Sequence, residues 1–258
     1  MTNAISFITA NYVAREVGWA MHDWGHGDRA TNAAFAPLET FRERFGTLLD
    51  DVRRLGFDTV DVWGAHLNHD WATDEHVALA RTLIDERELT VGSYQVYSGP
   101  NGLERVCDIA AALGTSMLSG NVPLDDDRLP SLLADRGLRF AFENHPDEKT
   151  PADVLGKIGV NGACVDTGWF GTNGYSAPQA IEELGDRVWH VHLKDVLAVG
   201  EPHETCRWGD GIVDVEGCIR ALQQIGYTGT IAVEHEPETF DPSEEISSMR
   251  EQLAAWLT

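Results

Sequence analysis

Lysine is almost missing from this chain. Only Lys149, Lys157 and Lys194 occur in 258 residues, and acidic residues outnumber basic ones so heavily that the formal net charge is −23. A field of that sign repels nucleic-acid phosphates and anionic lipid. The expected partner is therefore a small molecule, with no nucleic acid and no membrane. Cysteine is scarce as well: Cys107, Cys164, Cys206 and Cys218 stand far apart without a C-x-x-C pair, which argues against a disulfide scaffold or a zinc knuckle. No apolar run approaches the ~18 residues of a membrane span. The opening "MTNAISFITANYVARE" lacks the basic start and apolar core of an export signal, so a reducing cytoplasm is the expected location. A glycine-rich phosphate loop is also absent, which opposes nucleotide or nicotinamide dependence. With no Pro/Ser linker or low-complexity tract to divide the chain, one domain over 1–258 is expected. A homo-oligomer is compatible with this composition.

What is present is a regular alternation. Eight β-rich segments, "ISFITA", "DTVDVW", "TVGSYQVY", "SMLSGNV", "LRFAFEN", "GACVDT", "VWHVHLKD" and "TIAVEHE", are each followed by a helical stretch. Those stretches lie near 37–55, 73–88, 101–113, 126–136, 150–158, 177–186, 214–225 and 242–257, several of them opening on capping signals such as "TDEH", "TPADV" and "DPSEE". Strand followed by helix, repeated eight times, implies parallel strands with right-handed crossovers, and the economical closure is a (β/α)8 TIM barrel.

Side-chain parity in the second half places polar groups inside that barrel. In an extended strand alternate residues share a face, so Leu138, Phe140 and Phe142 turn to the helices while Arg139, Ala141, Glu143 and His145 oppose them. By the same rule Trp189, Val191 and Leu193 face out, leaving His190, His192 and Lys194 inside. Ala232, Glu234 and Glu236 face in opposite Ile231 and Val233, and Cys164 and Asp166 oppose Ala163 and Val165. Glu143, Asp166, His192 and Glu234 thus meet at the C-terminal ends of four successive strands, where barrel enzymes carry their chemistry. Three converging carboxylates repel one another unless a cation or protons compensate. A divalent metal is the natural solution, and oxygen-rich ligation with one imidazole favours Mn²⁺ or Mg²⁺, with Co²⁺ or Zn²⁺ also compatible.

The motifs "FENHP", "VDTGW", "HVHLKD", "GDGIVDVEG" and "IAVEHE", spread over 138–236, resemble the xylose isomerase-like, or sugar phosphate isomerase/epimerase, TIM barrels, which also include endonuclease IV. The resemblance implies the ligand set Glu143, Asp166, His192 and Glu234, with Glu143 and Glu234 doubling as the acid/base pair on opposite sides of a substrate carbon. One departure stands out. Many ketose epimerases of the family carry D-x-x-H at strand six, whereas this chain has "DTGW", so Trp169 stands where that substrate histidine, also a zinc ligand in endonuclease IV-like enzymes, would be.

The loops "GWAMHDWGHGD" and "GEPHETCRWGDG" should cover the mouth, where Trp24, Trp63, Trp169 and Trp208 either offer aromatic faces to a sugar or pack their loops. His66 and His145 are either hydrogen-bond donors to substrate or structural histidines. His203 and Arg207 either grip a substrate oxygen or pin their loop, and Lys194 is placed to pair with Asp195 or Glu234. The implied activity is metal-dependent isomerisation or epimerisation of a keto-sugar or related polyol ketone through an enediolate. The alternatives are a lyase resembling inosose dehydratase or the C-glycoside deglycosidases, a non-catalytic sugar-binding barrel, and an endonuclease IV-like nuclease. Because net charge opposes DNA and Trp169 replaces a zinc-binding histidine, zinc-loaded protein is expected to leave an abasic duplex intact at physiological salt. Nicking in that assay would refute the expectation.

Overall fold

The computed structural model describes residues 3–258. Eight parallel strands close into a barrel: β1 (Ile5–Ile8), β2 (Thr59–Trp63), β3 (Thr90–Tyr97), β4 (Met117–Asn121), β5 (Arg139–Glu143), β6 (Gly162–Asp166), β7 (Val188–Leu193) and β8 (Ile231–Val233). They follow one another in chain order around the wall, and β1 pairs with β8 to complete the circle. The helices α2 (Leu38–Arg54), α3 (Asp74–Glu86), α4 (Leu103–Ala112), α5 (Leu129–Asp135) and α6 (Pro151–Ile158) each lead from one strand to the next. Later in the chain α8 (Ala177–Leu184) and α9 (Val215–Gln224) do the same, and α10 (Ser243–Trp256) follows the last strand. The (β/α)8 architecture expected from the alternation is therefore the one adopted.

Local chemistry explains the element boundaries. Thr150 caps α6 by accepting from Asp153 N while the Asp153 carboxylate receives the Thr150 N–H, and Pro151 opens the helix with the φ it needs. The strand parity also holds, except that Trp189, expected to face out, lies under the inward-expected Arg139 guanidinium at 3.8 Å from its ring centroid, where the β6–β7 register shifts. Phe140, Phe142, Val191, Ile231 and Val233 are buried in the large core between strands and helices, and Ala232 belongs to a separate cluster inside the barrel with Ile8, Ala10 and Trp63.

At the mouth the backbone ladder gives out, and side chains continue it. Asn144 donates to Asp166 O at 3.0 Å and accepts from Asp166 N at 2.9 Å, joining β5 to β6. Asn11 ties β1 to β8 in the same manner, through Val233 O and His235 N. Thr167 Oγ1 donates to Lys194 O and accepts from Lys194 N between β6 and β7, and Thr9 Oγ1 accepts from Trp63 N between β1 and β2. These bonds satisfy buried backbone groups that would otherwise be costly to leave unpaired, and they fix the height at which each functional side chain leaves its strand.

Three segments depart from the sequence expectation. The first strand ends at Ile8 rather than running to Ala10, and Thr9–Val17 coils into 3-10 turns. The loop expected from Gly18 to Asp28 becomes a helix, α1 (Trp24–Phe35), capped by Asp23. Its buried seam is Gly27, Thr31 and Phe35, too poor in apolar residues to register as a stripe. Gly27 has to be small because a Cβ there would run into Met21 Sδ and come within 2.8 Å of Val13 Cγ1. A third helix, α7 (Thr167–Thr172), follows β6 directly, with Asp166 as its cap.

His66 closes the 3-10 turn Gly64–His66 after β2 and is buried outside the mouth, its ring edge-on to Phe35 with centroids 4.8 Å apart and Arg15 beside the same surface dent. Burial, with Arg15 adding to it, lowers its pKa from 6.5 to about 3. A histidine held neutral in the fold binds its proton more readily when unfolded, so its contribution is complete above pH 6.5 and is lost as pH falls from 6.5 toward 3. Between pH 7 and pH 5 this one group should cost about 2 kcal/mol. His66→Gln is expected to remove that part of the acid destabilisation, read as the difference in urea-melt stability at the two pH values. Identical slopes for variant and wild type would show that His66 is not the responsible group.

Candidate active site

Glu143 ends β5, Asp166 ends β6, His192 lies in β7 and Glu234 follows β8, and all four are buried. His192 Nδ1 approaches Glu143 Oε1 at 2.6 Å and Glu234 Oε2 at 3.3 Å. Glu143 is held from its other side: Gln95 Nε2 donates to its Oε2 at 2.6 Å, and the Tyr97 hydroxyl donates to the same atom at 3.0 Å. Asp166 is set differently. Its Oδ1 accepts from Gly168 N and Trp169 N at the start of α7, and its Oδ2 meets Lys194 Nζ at 3.1 Å. Lys194 also lies 3.4 Å from Glu234 and 2.9 Å from Glu236. Of the two partners expected for Lys194, Glu234 is therefore in place. The Asp195 carboxylate instead accepts from Val196 N, Gly209 N, Gly211 N and Val213 N, bracing the loop after β7.

Charge compensation shapes this cluster. Burial acts to raise the Glu143 pKa, but the positive charges of His192 and His145 outweigh it and hold the carboxylate below its ordinary range. Glu234 is lowered despite burial, by Lys194 and His192. Burial carries Asp166 up to about 6 against the pull of Lys194, with Glu234 and Glu143 adding to the rise. Burial alone would strip the proton from His192 and from Lys194, yet the surrounding anions raise both well above their ordinary values.

The donor set fits a divalent cation. Ligand atoms of Glu143, His192 and Glu234 all lie within 4.8 Å of one another. Both His192 ring nitrogens and Glu234 Oε2 are buried, and the close approaches of His192 to the two glutamates and of Lys194 to Glu234 lack the alignment of hydrogen bonds. Buried polar atoms of that kind call for an occupant, and two carboxylates with one imidazole suit a hard or borderline ion. Asp166 stands beside this trio, linked to it through Lys194.

A cavity of about 790 Å³ opens beside the trio, lined by Glu143 and Glu234 but not by the fully buried His192. Of the aromatic and histidine residues singled out from the sequence, Trp24, Trp63, His145, Trp169 and His203 line it. Trp169 stacks on His203 at 3.7 Å between ring centroids and 10° between planes, and Thr172 Oγ1 lies 2.6 Å from His203 Nδ1. His66 and Arg207 are not in the lining. Arg207 is exposed on the outside of its loop, and Trp208 packs on Trp256 of α10 rather than over the mouth. Two further contributors come from the first half of the chain. Gln95 and Tyr97 share a face of β3, and a parity reading of "TVGSYQVY" like that given to the later strands exposes both.

An 80-residue stretch is 34% identical to the mannonate dehydratase of Oceanobacillus iheyensis, a match covering 29% of this chain and only 23% of that enzyme. Among solved structures, the D-allulose 3-epimerase of Methylomonas sp. superposes with a TM-score of 0.66 at 18% identity, covering 100% of this chain and 98% of that one. The probable 3-DHS dehydratase of Bacillus anthracis gives 0.68 at 14% identity, covering 97% and 98%. At such identities these two likenesses speak for the fold alone. The sequence pattern described as "Xylose isomerase-like TIM barrel" matches residues 49–257. That span runs from the end of α2 to the end of α10 and takes in all four strands that feed the mouth, so the chain belongs to the xylose isomerase-like TIM barrel family.

Proposed function

We propose that this protein is a divalent-metal-dependent isomerase or epimerase of a keto-sugar or related polyol ketone. The observation that carries the reading is the buried trio of Glu143, His192 and Glu234, with ligand atoms mutually within 4.8 Å at the floor of an aromatic-lined cavity. In this reading Glu143, His192 and Glu234 hold the ion together with Asp166, and Mn²⁺ or Mg²⁺ suits the oxygen-rich set best. When bound, a divalent ion supplies Lewis acidity to a carbonyl and its neighbouring hydroxyl.

The chain's own residues carry the proton. Glu143 and Glu234 enter from strands separated by β6 and β7, so a substrate lying across the floor meets a carboxylate from each side. One glutamate removes the proton beside the carbonyl, an enediolate forms, and the other returns a proton to the neighbouring position or the opposite face. Gln95 and Tyr97 fix the Glu143 carboxylate in one orientation, and Lys194 keeps Glu234 ionised between turnovers. Trp24 and Trp169 present flat apolar surfaces to substrate C–H groups, while His145 and His203 face the cavity with polar ring edges.

Elimination is the second reading, and Tyr97 favours it. Its hydroxyl touches both Glu143 and His145 Nε2 at the cavity wall. Tyr97 is 45% exposed, but its hydroxyl end is enclosed between Glu143 and His145; that enclosure and the Glu143 charge raise its pKa well above 10, so the proton is retained until a departing hydroxyl or aglycone needs it. Metal-loaded protein incubated in D₂O with ketoses, inososes and 3-keto-glycosides separates the two by NMR. Deuterium incorporation without elimination is the expected result; new unsaturation or a released aglycone supports the lyase, and no exchange with any member would sink both. Glu143→Gln and Glu234→Gln at saturating metal should each lose about 10²- to 10⁴-fold in rate while retaining metal by elemental analysis, whereas His192→Ala should lose metal content itself.

A further inference from the structure

We infer that the substrate of this site is an uncharged polyol ketone, carrying neither a phosphoryl nor a carboxylate group. The inference rests on the reading of the mouth as the place where a sugar-like ketone reacts. It comes from the side chains above the floor rather than from the floor itself.

Carboxylates far outnumber cationic groups on the cavity wall, set among aromatic and apolar side chains. Above Glu143, Asp166 and Glu234, the lining adds Asp23, Glu201, Glu204, Glu236 and Glu238. Among the described residues that line it, Lys194 is the single lysine and there is no arginine. That lysine is already committed, with Asp166, Glu234 and Glu236 within 3.4 Å of its ammonium. A divalent ion on the floor offsets part of this charge locally but leaves the rim negative.

Few other means of holding an anion remain. Helix N-termini bind phosphate through free backbone N–H groups, and two of them face the mouth. At α7 the Gly168 and Trp169 N–H groups are taken by Asp166, and at α1 the His26 N–H is taken by Asp23, so each terminus presents a carboxylate instead. His203 is stacked on Trp169, and its Nδ1 lies against Thr172. Burial lowers its pKa to about 3, leaving the ring neutral at physiological pH. The His145 ring is bound at both nitrogens, by Glu143 O and by the Tyr97 hydroxyl. Of these two histidines only His203 Nε2 is left without a partner, and a neutral ring nitrogen can hydrogen-bond a hydroxyl but brings no charge to an anion. Beside it the wall is largely aromatic, with Trp24 and Trp63 meeting edge to face on one flank and Tyr97 packing against Trp63. Such surfaces suit the C–H patches of an uncharged polyol.

The test is a panel of ketoses and inososes, each set beside its phosphorylated or carboxylated analogue, assayed with metal-loaded protein for kcat/KM by deuterium exchange and for binding by calorimetry. A cleft lined by one sign of charge alters the local concentration of a charged ligand by about 10- to 10³-fold, so the uncharged member of each pair should be favoured by about that factor. The gap should narrow at roughly 0.5 M salt, where the screening length falls to about 4 Å, and again in Glu238→Lys. An anionic member that binds or turns over better than its uncharged parent at low salt overturns the inference while leaving isomerase chemistry intact. Uncharged members that bind without exchanging a proton sink the isomerase reading but uphold this one. A panel in which no uncharged member binds also overturns it.

Discussion

Three carboxylates forced together out of water are the constraint on which the rest of this mouth depends. Each would cost several kcal/mol to bury alone, and Glu143, Asp166 and Glu234 are all at most 4% exposed. Beside His145 at the wall, the cations that offset them come from a single strand and its end. His192 and Lys194 are two residues apart, so they share the inward face of β7 at successive heights. The imidazole serves Glu143 and Glu234, and the ammonium serves Asp166 and Glu234. Glu234 is common to both, yet its Oε2 still lacks a hydrogen bond. Charge in the cluster is thus compensated, and the oxygen without an aligned hydrogen bond belongs to the donor set that fits a divalent cation.

Such a cluster works only if its side chains emerge at fixed heights, and the stitching of the strand ends supplies that. The stretch Glu143, Asn144, His145 shows three adjacent residues with three separate tasks. Glu143 enters the floor, Asn144 replaces a rung of the β5–β6 ladder, and His145 turns up to the cavity wall. Asn11, Thr9 and Thr167 repeat the ladder substitution around the rim. Asp166 joins both systems, since its backbone is clamped by Asn144 while its carboxylate caps α7 and meets Lys194.

The loop after β7 is organised by burying one more carboxylate. Asp195 receives four backbone N–H groups, drawing 209–213 back against a short ribbon of Asp195–Val196 with Thr205–Cys206. That folding brings His203 onto Trp169 and sets Glu201 and Glu204 on the rim. Loop order, aromatic walls and acidic field therefore share an origin in polar groups that satisfy backbone amides, leaving few donors for an anion.

The sequence by itself determined the barrel, the order of its strands and which side chains face its axis. Alternation of strand and helix leaves few closures, and a period of two assigns each residue of a strand to one side whatever surrounds it. Glu143, Asp166, His192 and Glu234 were legible for that reason, and the motifs around them carried the family. Only the tertiary structure decided what the loops and turns do. His66 and Arg207 looked like mouth residues by position, but a 3-10 turn sends one under Phe35 and the outer course of a loop leaves the other in solvent. The α1 helix packs through a glycine seam without an apolar stripe, and Gln95 and Tyr97 reach Glu143 from 48 and 46 residues away in sequence. Strand periodicity is a local property of the backbone, whereas the partner of a loop residue is set by what the closed barrel brings beside it.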